Sequence, residues 1–212
     1  MTESTPADAA KAIAATYDDL ATTYDRNRGL FDLSEVLADF IPLLPPEGRL
    51  LDLGCGAGEP VASTFLSRGW KVTGVDLSSA MLALAQTHLP TMELLQADMI
   101  SAELPSETFD AVTAVYSLFH VPHAQHATVF SNVHRWLKPA GHFLFTYATK
   151  DYTGHARFDG TKEFMAHDLF YSHTTPAEMF DQLADARLQV INATDRNIGG
   201  ETFLWVTVQR AC

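Results

Sequence analysis

The stretch from Leu50 to Pro60 constrains the fold more than any other part of the chain, because an apolar segment passes directly into a glycine-rich one. The apolar residues predict a buried strand. Three glycines at alternate positions then predict a tight turn with no side chains between the backbone and a ligand. Pro60 suits the first turn of a helix. Asp52 lies at the end of the predicted strand, where its carboxylate can accept hydrogen bonds from a ligand over the loop.

The spacing of these glycines differs from that of the dinucleotide-binding fingerprint. In that fingerprint the third glycine stands three residues after the second, and in this chain Glu59 occupies that place. An acidic residue there would repel a pyrophosphate, although helix N-termini generally favour anions. The loop therefore predicts a ligand without phosphate groups, with a purely structural tight turn as the alternative.

Two predicted strands downstream each end at an acidic residue. Residues 70–75 lead to Asp76, and residues 92–97 lead to Asp98. An acidic residue that closes the second strand is placed to bind both hydroxyls of a ribose. Asp98 can accept a hydrogen bond from an adenine amino group, and Met99 can cover the adenine ring. Each aspartate considered alone also fits a helix cap or a solvated strand end.

With these segments in this order, the chain resembles the class I S-adenosylmethionine-dependent methyltransferases. The matching segments are the loop Asp52–Gly58, the pair Val75–Asp76, the pair Asp98–Met99, Phe109–Asp110 before a fourth strand, and Leu137–Gly141 before a fifth. The resemblance covers about residues 10–148. It implies an α/β fold with a doubly wound, mostly parallel sheet of seven strands. The implied strand order is 3-2-1-4-5-7-6, with strand 7 antiparallel and helices on both faces.

The same resemblance implies S-adenosylmethionine as the cofactor, with S-adenosylhomocysteine as its product. The glycine loop would lie beneath the methionine part, and Tyr24 and Arg28 would reach the methionine carboxylate. Met81 would touch the adenine or ribose, or would only fill a gap in the core. The implied cofactor-binding residues are Tyr24, Arg28, Asp52, Gly54, Cys55, Gly56, Gly58, Asp76, Leu77, Met81, Asp98, Met99 and Tyr116.

The composition is that of one globular domain, which we expect to span residues 1–212. The formal net charge is −12, from 14 basic and 26 acidic residues. Such a chain repels phosphate backbones, so no nucleic-acid partner is expected. The two cysteines show neither disulfide nor metal-site spacing, which favours a reducing compartment. Without a signal peptide or a membrane-spanning apolar run, the sequence predicts a cytoplasmic protein with no membrane partner.

Two regions outside the sheet are predicted to cover the site. Helices within about residues 10–41 would form an N-terminal cap, as the resemblance implies. Residues 150–175 show no clean helix or strand period, and irregular insertions of this length are often functional lids. We expect a substrate cap there, with a satellite cluster that shields the sheet edge as the alternative. The predicted substrate-binding residues are Tyr17, Ser117, Phe158, Phe164, His167 and Tyr171.

Several histidines raise the question of a metal or a general base. His120, His123 and His126 repeat every third residue, but Pro122 interrupts any helix that would align them. No cysteine or carboxylate completes a site, so no metal is predicted. His120 lies at the active end of the fourth strand and is a candidate base, with a structural histidine bonded to the backbone as the alternative. His173 in the insertion is the second candidate.

The predicted function is metal-independent transfer of a methyl group to a nitrogen or oxygen of a small aromatic or heteroaromatic metabolite. Because the cofactor is a strong electrophile, the protein mainly supplies alignment and a dry pocket. The chain lacks the Pro-Pro motif of nucleic-acid amino methyltransferases, since Tyr116 to Phe119 occupy that place. Methylation of a thiol or halide is one alternative, and a cofactor-binding protein without transferase activity is another. A monomer or a homodimer is expected.

Overall fold

The computed structural model describes residues 6–27 and 31–211, with side chains described from residue 10 onward. Its helices are α1 (Pro6–Asn27), α2 (Ser34–Phe40), α3 (Val61–Leu66), α4 (Ser79–His88), α5 (His126–Trp136), α6 (Lys150–Thr153) and α7 (Pro176–Asp185). Its strands are β1 (Arg49–Leu53), β2 (Lys71–Asp76), β3 (Glu93–Gln96), β4 (Phe109–Ala114), β5 (Leu137–Tyr147), β6 (Phe158–Phe164), β7 (His167–His173), β8 (Leu188–Ile198) and β9 (Glu201–Arg210).

Seven of these strands form one sheet in the order β3-β2-β1-β4-β5-β9-β8. The first five strands in this order are parallel to one another, and β9 runs antiparallel to both β5 and β8. Counted within the sheet alone, this is the predicted order 3-2-1-4-5-7-6 with an antiparallel seventh strand. The predicted fold class is therefore confirmed.

Two apolar clusters place helices on opposite faces of this sheet. On one face, Val129, Phe130 and Trp136 from α5 and Met179 and Leu183 from α7 pack against the sheet. On the other face, residues of α2 and α3 pack against it. Successive residues of a strand point to opposite faces, so the apolar run of β1 supplies both clusters. This explains why the strand reads as continuously hydrophobic.

Helix α1 belongs to a third cluster, which lies apart from the two sheet faces. Ile13 and Leu20 of α1 pack with Leu169 and Tyr171 of β7 and with Phe203 of β9. Asp18 also fastens α1 to the start of α4, because its Oδ1 accepts hydrogen bonds from Ser78 Oγ at 2.6 Å and Ala80 N at 3.0 Å. The N-terminal helix is thus held between the sheet and the β6–β7 segment.

The insertion 150–175 differs from its prediction. It contains the short helix α6 and an antiparallel hairpin of β6 and β7, so the expectation of irregular structure was wrong. Burial alternates along β6, with Phe158, Gly160, Lys162 and Phe164 half-buried and the residues between them exposed. Glycine and lysine at two inward positions remove the apolar alternation by which a strand is recognised in sequence.

No helix in the described part of the chain combines the length and the apolarity needed to cross a membrane.

Candidate active site

The glycine loop is held tightly on one side and open on the other. Gly54, at φ +68°, lies so close to Ser117 that an added Cβ would stand 2.3 Å from the Ser117 Cβ. Ser117 Oγ donates a hydrogen bond to the Leu53 carbonyl at 2.7 Å. Gly56, at φ +52°, has no atom within 4 Å of the position of an added Cβ. The loop therefore presents bare backbone to a cavity at Gly56, which suits a closely approaching ligand.

Asp76 connects this loop to the end of β2. Its Oδ2 accepts a hydrogen bond from Gly56 N at 2.8 Å, and its Oδ1 accepts one from Ser78 N at 2.8 Å. Burial raises the pKa of this carboxyl, and the backbone donors partly oppose the rise. Each oxygen keeps a lone pair, so the carboxylate can still accept hydrogen bonds from a ligand's hydroxyls.

Three adjoining cavities surround the loop. The first lobe, about 820 Å³ of space partly open to solvent, is lined by residues that include Ile13, Tyr17, Asp76, Leu77, Met81, Asp98, Met99, Ile100, Ser117 and His120. The second lobe, about 500 Å³, is lined by residues that include Phe31, Leu33, Asp52, Cys55, Glu59 and Pro60. The third lobe, about 310 Å³, is lined by Tyr17, Tyr24, Phe31, Tyr116, Phe119, His120, Phe164, Tyr171, Glu201 and Phe203.

Tyr24 and Tyr116 border all three lobes. Tyr116 follows β4 with φ +54°, a backbone conformation that is uncommon for an aromatic residue and concentrates at functional sites. Its N–H donates to Thr146 Oγ1 at 2.6 Å, which fixes the turn. Its hydroxyl is buried and has no hydrogen-bond partner among the described residues. A ligand that spans the lobes would contact both tyrosines.

Asp52 lies in the second lobe and is 4% exposed. Its Oδ1 accepts a hydrogen bond from Thr113 Oγ1 at 2.7 Å. Burial raises the pKa of this carboxyl to about 7, although the hydrogen bond opposes the rise. A cationic ligand in the lobe would favour the ionised carboxylate.

His120 forms a hydrogen-bonded pair with Tyr17 at the boundary of the first and third lobes. His120 Nδ1 lies 2.6 Å from the Phe170 carbonyl, and Nε2 lies 2.9 Å from the Tyr17 hydroxyl. A carbonyl only accepts, so Nδ1 carries the proton and Nε2 accepts from Tyr17. Burial lowers the pKa of His120 to about 4. The imidazole is therefore neutral near pH 7, with its acceptor nitrogen toward the cavity.

His173 is not placed as a base. Its side chain is fully buried, Nε2 lies 2.7 Å from Thr153 Oγ1, and Nδ1 lies 2.9 Å from the Thr174 carbonyl. It lines none of the three lobes. Both ring nitrogens are used within the protein, so His173 holds α6 against β7, and its assignment as a catalytic residue is corrected to a structural one.

Most predicted cofactor-binding residues do lie around the first two lobes. Leu77, Met81, Asp98 and Met99 line the first lobe, and Asp98 Oδ1 accepts from Ile100 N at 2.8 Å. Cys55 lines the second lobe. Two residues differ from this placement. Gly58 lines no lobe, since a Cβ there would stand 2.6 Å from Leu89 Cδ1 and its role is packing. Arg28 lies outside the described residues.

The predicted substrate-binding residues divide in the same way. Tyr17, Ser117, Phe164 and Tyr171 line the first or third lobe. Phe158 and His167 line neither. Phe158 stacks on the His173 ring at a centroid distance of 6.3 Å, and His167 Nδ1 lies 2.9 Å from the Met165 carbonyl. Both are therefore part of the hairpin's own structure.

Four residues of the third lobe were not predicted from the sequence. These residues are Phe31, Phe119, Glu201 and Phe203. A glutamate directly after the Gly199–Gly200 turn, at the start of an apolar strand, was the available signal for Glu201. Phe119 follows Tyr116 and Ser117 in the motif region, but nothing local distinguishes a cavity-lining aromatic residue from one in the core.

Across the two described segments, 6–27 and 31–211, no group of three or more histidine, cysteine or acidic side chains is close enough together to hold a metal ion. His123 instead pairs with Asp159 at 2.7 Å, and His126 Nε2 lies 2.9 Å from the Val121 carbonyl.

Comparison with known proteins gives the context of this site. A family model described as a methyltransferase domain matches residues 50–141. The ubiquinone biosynthesis O-methyltransferase of Alkalilimnicola ehrlichii is 37% identical over 125 residues, which cover 55% of this chain and 49% of that protein. That of Pseudomonas syringae pv. tomato is 38% identical over 104 residues, 46% of this chain and 43% of that protein. The matched region thus spans less than half of these relatives.

Solved structures extend the similarity of fold over nearly the whole chain. The 1,6-didemethyltoxoflavin-N1-methyltransferase of Burkholderia thailandensis superposes with a TM-score of 0.71 at 20% identity, covering 96% of this chain and 87% of that one. The [4+2]-cyclase SpnF superposes with a TM-score of 0.73 at 16% identity, covering 94% of this chain and 95% of that one. The chain is thus similar to a methyltransferase domain over residues 50–141, and it shares the fold of these solved structures over nearly its whole length.

Proposed function

We propose that the chain transfers a methyl group from S-adenosylmethionine to a nitrogen or oxygen of a small aromatic or heteroaromatic molecule. The observation that supports this proposal most strongly is that Tyr24 and Tyr116 border all three lobes. The first lobe suits an adenosyl group, the second suits a methionyl group, and the aromatic third lobe suits an acceptor. The point where all three meet is then the position of the transferred methyl group.

Residues around the first two lobes fit the cofactor. Asp76 presents a half-buried carboxylate to ribose hydroxyls, and Met81 and Met99 supply apolar contacts to adenine. The empty space above Gly56 allows direct contact with backbone. When bound, S-adenosylmethionine supplies an electrophilic methyl group on a cationic sulfur. The Asp52 carboxylate contributes negative charge to the second lobe, where the cationic part of the ligand lies.

The third lobe positions the acceptor for in-line attack. Phe119 stacks between Tyr171 at 5.1 Å and Phe203 at 4.9 Å, which forms a rigid wall for a flat molecule. Holding the acceptor at the correct distance and direction converts a bimolecular step into an effectively unimolecular one. The aromatic lining also excludes water.

His120 is the proposed general base for acceptors that must lose a proton. Nδ1–H is held by the Phe170 carbonyl, so Nε2 is the atom that receives the proton. The Tyr17 hydroxyl already donates to that nitrogen. It either gives way to the acceptor, or it gives its own proton to Nε2 and takes the acceptor's proton in return. General bases of this kind contribute about 10²- to 10⁴-fold in rate.

Two segments cover the proposed acceptor site within a single domain. Helix α1 contributes Tyr17 and Tyr24, and the region 150–175 contributes Phe164 and Tyr171. We infer that both act as caps and that the small third lobe excludes a macromolecular substrate. The acidic net charge of −12 also argues against nucleic acid.

Calorimetric titration with S-adenosylmethionine and S-adenosylhomocysteine tests the cofactor part of the proposal. We expect both to bind wild-type protein in the micromolar range. A screen of heteroaromatic amines and phenols, read by mass spectrometry as a gain of one methyl group, then tests transfer. Absence of cofactor binding would refute the whole proposal.

A second candidate is a protein that binds the cofactor but catalyses another reaction. The structural similarity to SpnF favours keeping this candidate, since that protein is a [4+2]-cyclase on the same fold, and a fold alone does not determine the reaction. Tight cofactor binding together with no methylated product from any acceptor class, thiols and halides included, would favour it.

A further inference from the structure

We propose that the third lobe selects acceptors that carry a protonated nitrogen, with Glu201 as the counter-ion. This inference rests on the proposed function, since it names the substrate class of the same site. An ammonium has no free lone pair. The nitrogen therefore anchors the molecule while it is protonated, and it accepts a methyl group only after that proton has passed to His120 Nε2, the base proposed above.

The position of Glu201 is the first argument. Glu201 begins β9 directly after the turn from β8, and its half-buried side chain lines the third lobe. Its Oε1 accepts a hydrogen bond from the Tyr152 hydroxyl at 3.1 Å. A carboxylate removed from water is costly unless a positive charge or several donors compensate it.

The described residues supply no cation that pairs with Glu201 within 4.0 Å. Burial raises the pKa of Glu201, and the charge of Lys162 opposes that rise, but the Lys162 ammonium stands over the Tyr152 ring at 3.8 Å from the centroid and donates to the Tyr152 carbonyl rather than to the carboxylate. One hydrogen bond leaves most of the acceptor capacity of the carboxylate unused. A ligand with a cationic nitrogen would supply the missing charge.

The surrounding rings are the second argument. Tyr17, Tyr116, Phe119, Tyr171 and Phe203 line the lobe together with Glu201. The face of an aromatic ring carries negative potential and attracts a cation. An apolar or anionic acceptor would pack against the rings but would make no favourable interaction with the carboxylate. A carboxylate set in an aromatic wall is complementary to an arylalkylamine or a protonated heterocycle.

Matched ligand pairs separate this proposal from simple aromatic packing. The protein, saturated with S-adenosylhomocysteine, is titrated with tyramine and 4-ethylphenol, and with tryptamine and 3-ethylindole. Binding is followed by ligand-observed NMR. We expect each amine to bind at least tenfold more tightly than its neutral partner. In Glu201→Gln this preference should fall below threefold, with S-adenosylhomocysteine affinity unchanged.

Glu163→Gln is the matched control, because it removes the same charge from an exposed position on β6. It should keep the preference for amines. Equal affinities within the pairs, no binding of either amine, or a preference that survives Glu201→Gln would each overturn the proposal. Failure of S-adenosylhomocysteine to bind is measured separately in the same samples, and would refute the proposed function instead.

Discussion

The proposed cofactor side and the proposed acceptor side of the cavity are built in different ways. The first two lobes take three carboxyl groups from the ends of neighbouring parallel strands, namely Asp52 near the end of β1, Asp76 at the end of β2 and Asp98 after β3. The third lobe takes its lining from α1, the segment after β4, the β6–β7 hairpin and β9. One side is ordered by the sheet, and the other is assembled from segments far apart in sequence.

This difference separates the functions of the two sides. A parallel sheet fixes the positions of groups at its strand ends, so the cofactor side can be shared among proteins with unrelated substrates. Segments that pack across the open edge can change without disturbing the sheet. We therefore expect the acceptor side to determine substrate specificity. A variant on either side should change binding on that side and have little effect on binding on the other.

The largest expected effect is on the acceptor side. His120→Ala removes the proposed base, so kcat for a proton-bearing acceptor should fall about a hundredfold or more. S-adenosylhomocysteine affinity should change less than threefold. Steady-state kinetics with an acceptor from the screen, together with calorimetry, measure both quantities. The matched control is His173→Ala, which removes a buried structural histidine and should leave kcat of the folded protein unchanged. An unaltered kcat in His120→Ala would leave alignment as the whole mechanism.

On the cofactor side, Asp76→Ala should weaken S-adenosylhomocysteine binding about a hundredfold. The variant loses two charge-assisted hydrogen bonds to ribose, worth about 3 kcal/mol together, and also the acceptor that holds Gly56 N. Calorimetric titration measures the affinity. Phe164→Ala in the third lobe serves as the comparison and should retain wild-type cofactor affinity. If both variants bind equally well, the assignment of Asp76 to the ribose is wrong.

Two glycines of one loop should respond differently to the same substitution. Gly54→Ala should lower the free energy of unfolding by about 3 kcal/mol, since a left-handed alanine costs about 1 kcal/mol and the clash with Ser117 about 2 kcal/mol more. Gly56→Ala meets no protein atom within 4 Å. It should cost only about 1 kcal/mol while weakening cofactor binding. Urea unfolding and calorimetry test the pair, and equal stability losses would contradict the geometry.

The smallest expected effect is a pH dependence of cofactor binding. Burial holds the pKa of Asp52 near 7 in the free protein, and a cationic ligand favours the ionised form and lowers that pKa. Binding therefore releases a proton below pH 7, and S-adenosylmethionine affinity should rise about tenfold between pH 6 and pH 8. The rise should disappear in Asp52→Asn. A rise that persists in this variant would assign the titration to another group.

The same raised pKa has a consequence for stability. The unfolded chain loses the Asp52 proton near pH 4, whereas the folded protein keeps it until about pH 7. The unfolded state therefore binds fewer protons between these values. Asp52 thus makes the ligand-free protein less stable as pH rises through this window.

The features that could be predicted from the sequence are those that short local patterns encode. The positions of Asp76 and Asp98 follow from short apolar runs that end at polar residues. The strand order and the helices on both faces follow from the family resemblance that these motifs carry. Ser78 directly precedes α4 and caps it, because its Oγ accepts a hydrogen bond from Met81 N at 3.1 Å. These features depend on neighbours in sequence, which is why local patterns identify them.

Other features depended on partners that are distant in the chain. The β6–β7 hairpin has a glycine and a lysine at inward positions, so its strand character comes from pairing rather than from apolar alternation. His173 and His120 are alike in sequence as candidate bases. Only packing brings the first to Thr153 and the second to Tyr17.

The sequence by itself determined the sheet, the glycine loop and the acidic strand ends, because each is encoded within a short stretch of chain. Only the tertiary structure decided which histidine faces the cavity, that Gly56 is open while Gly54 is closed, and that Glu201 stands among aromatic rings. These depend on contacts across tens to more than a hundred residues, and side-chain burial there is set by the whole fold rather than by local pattern.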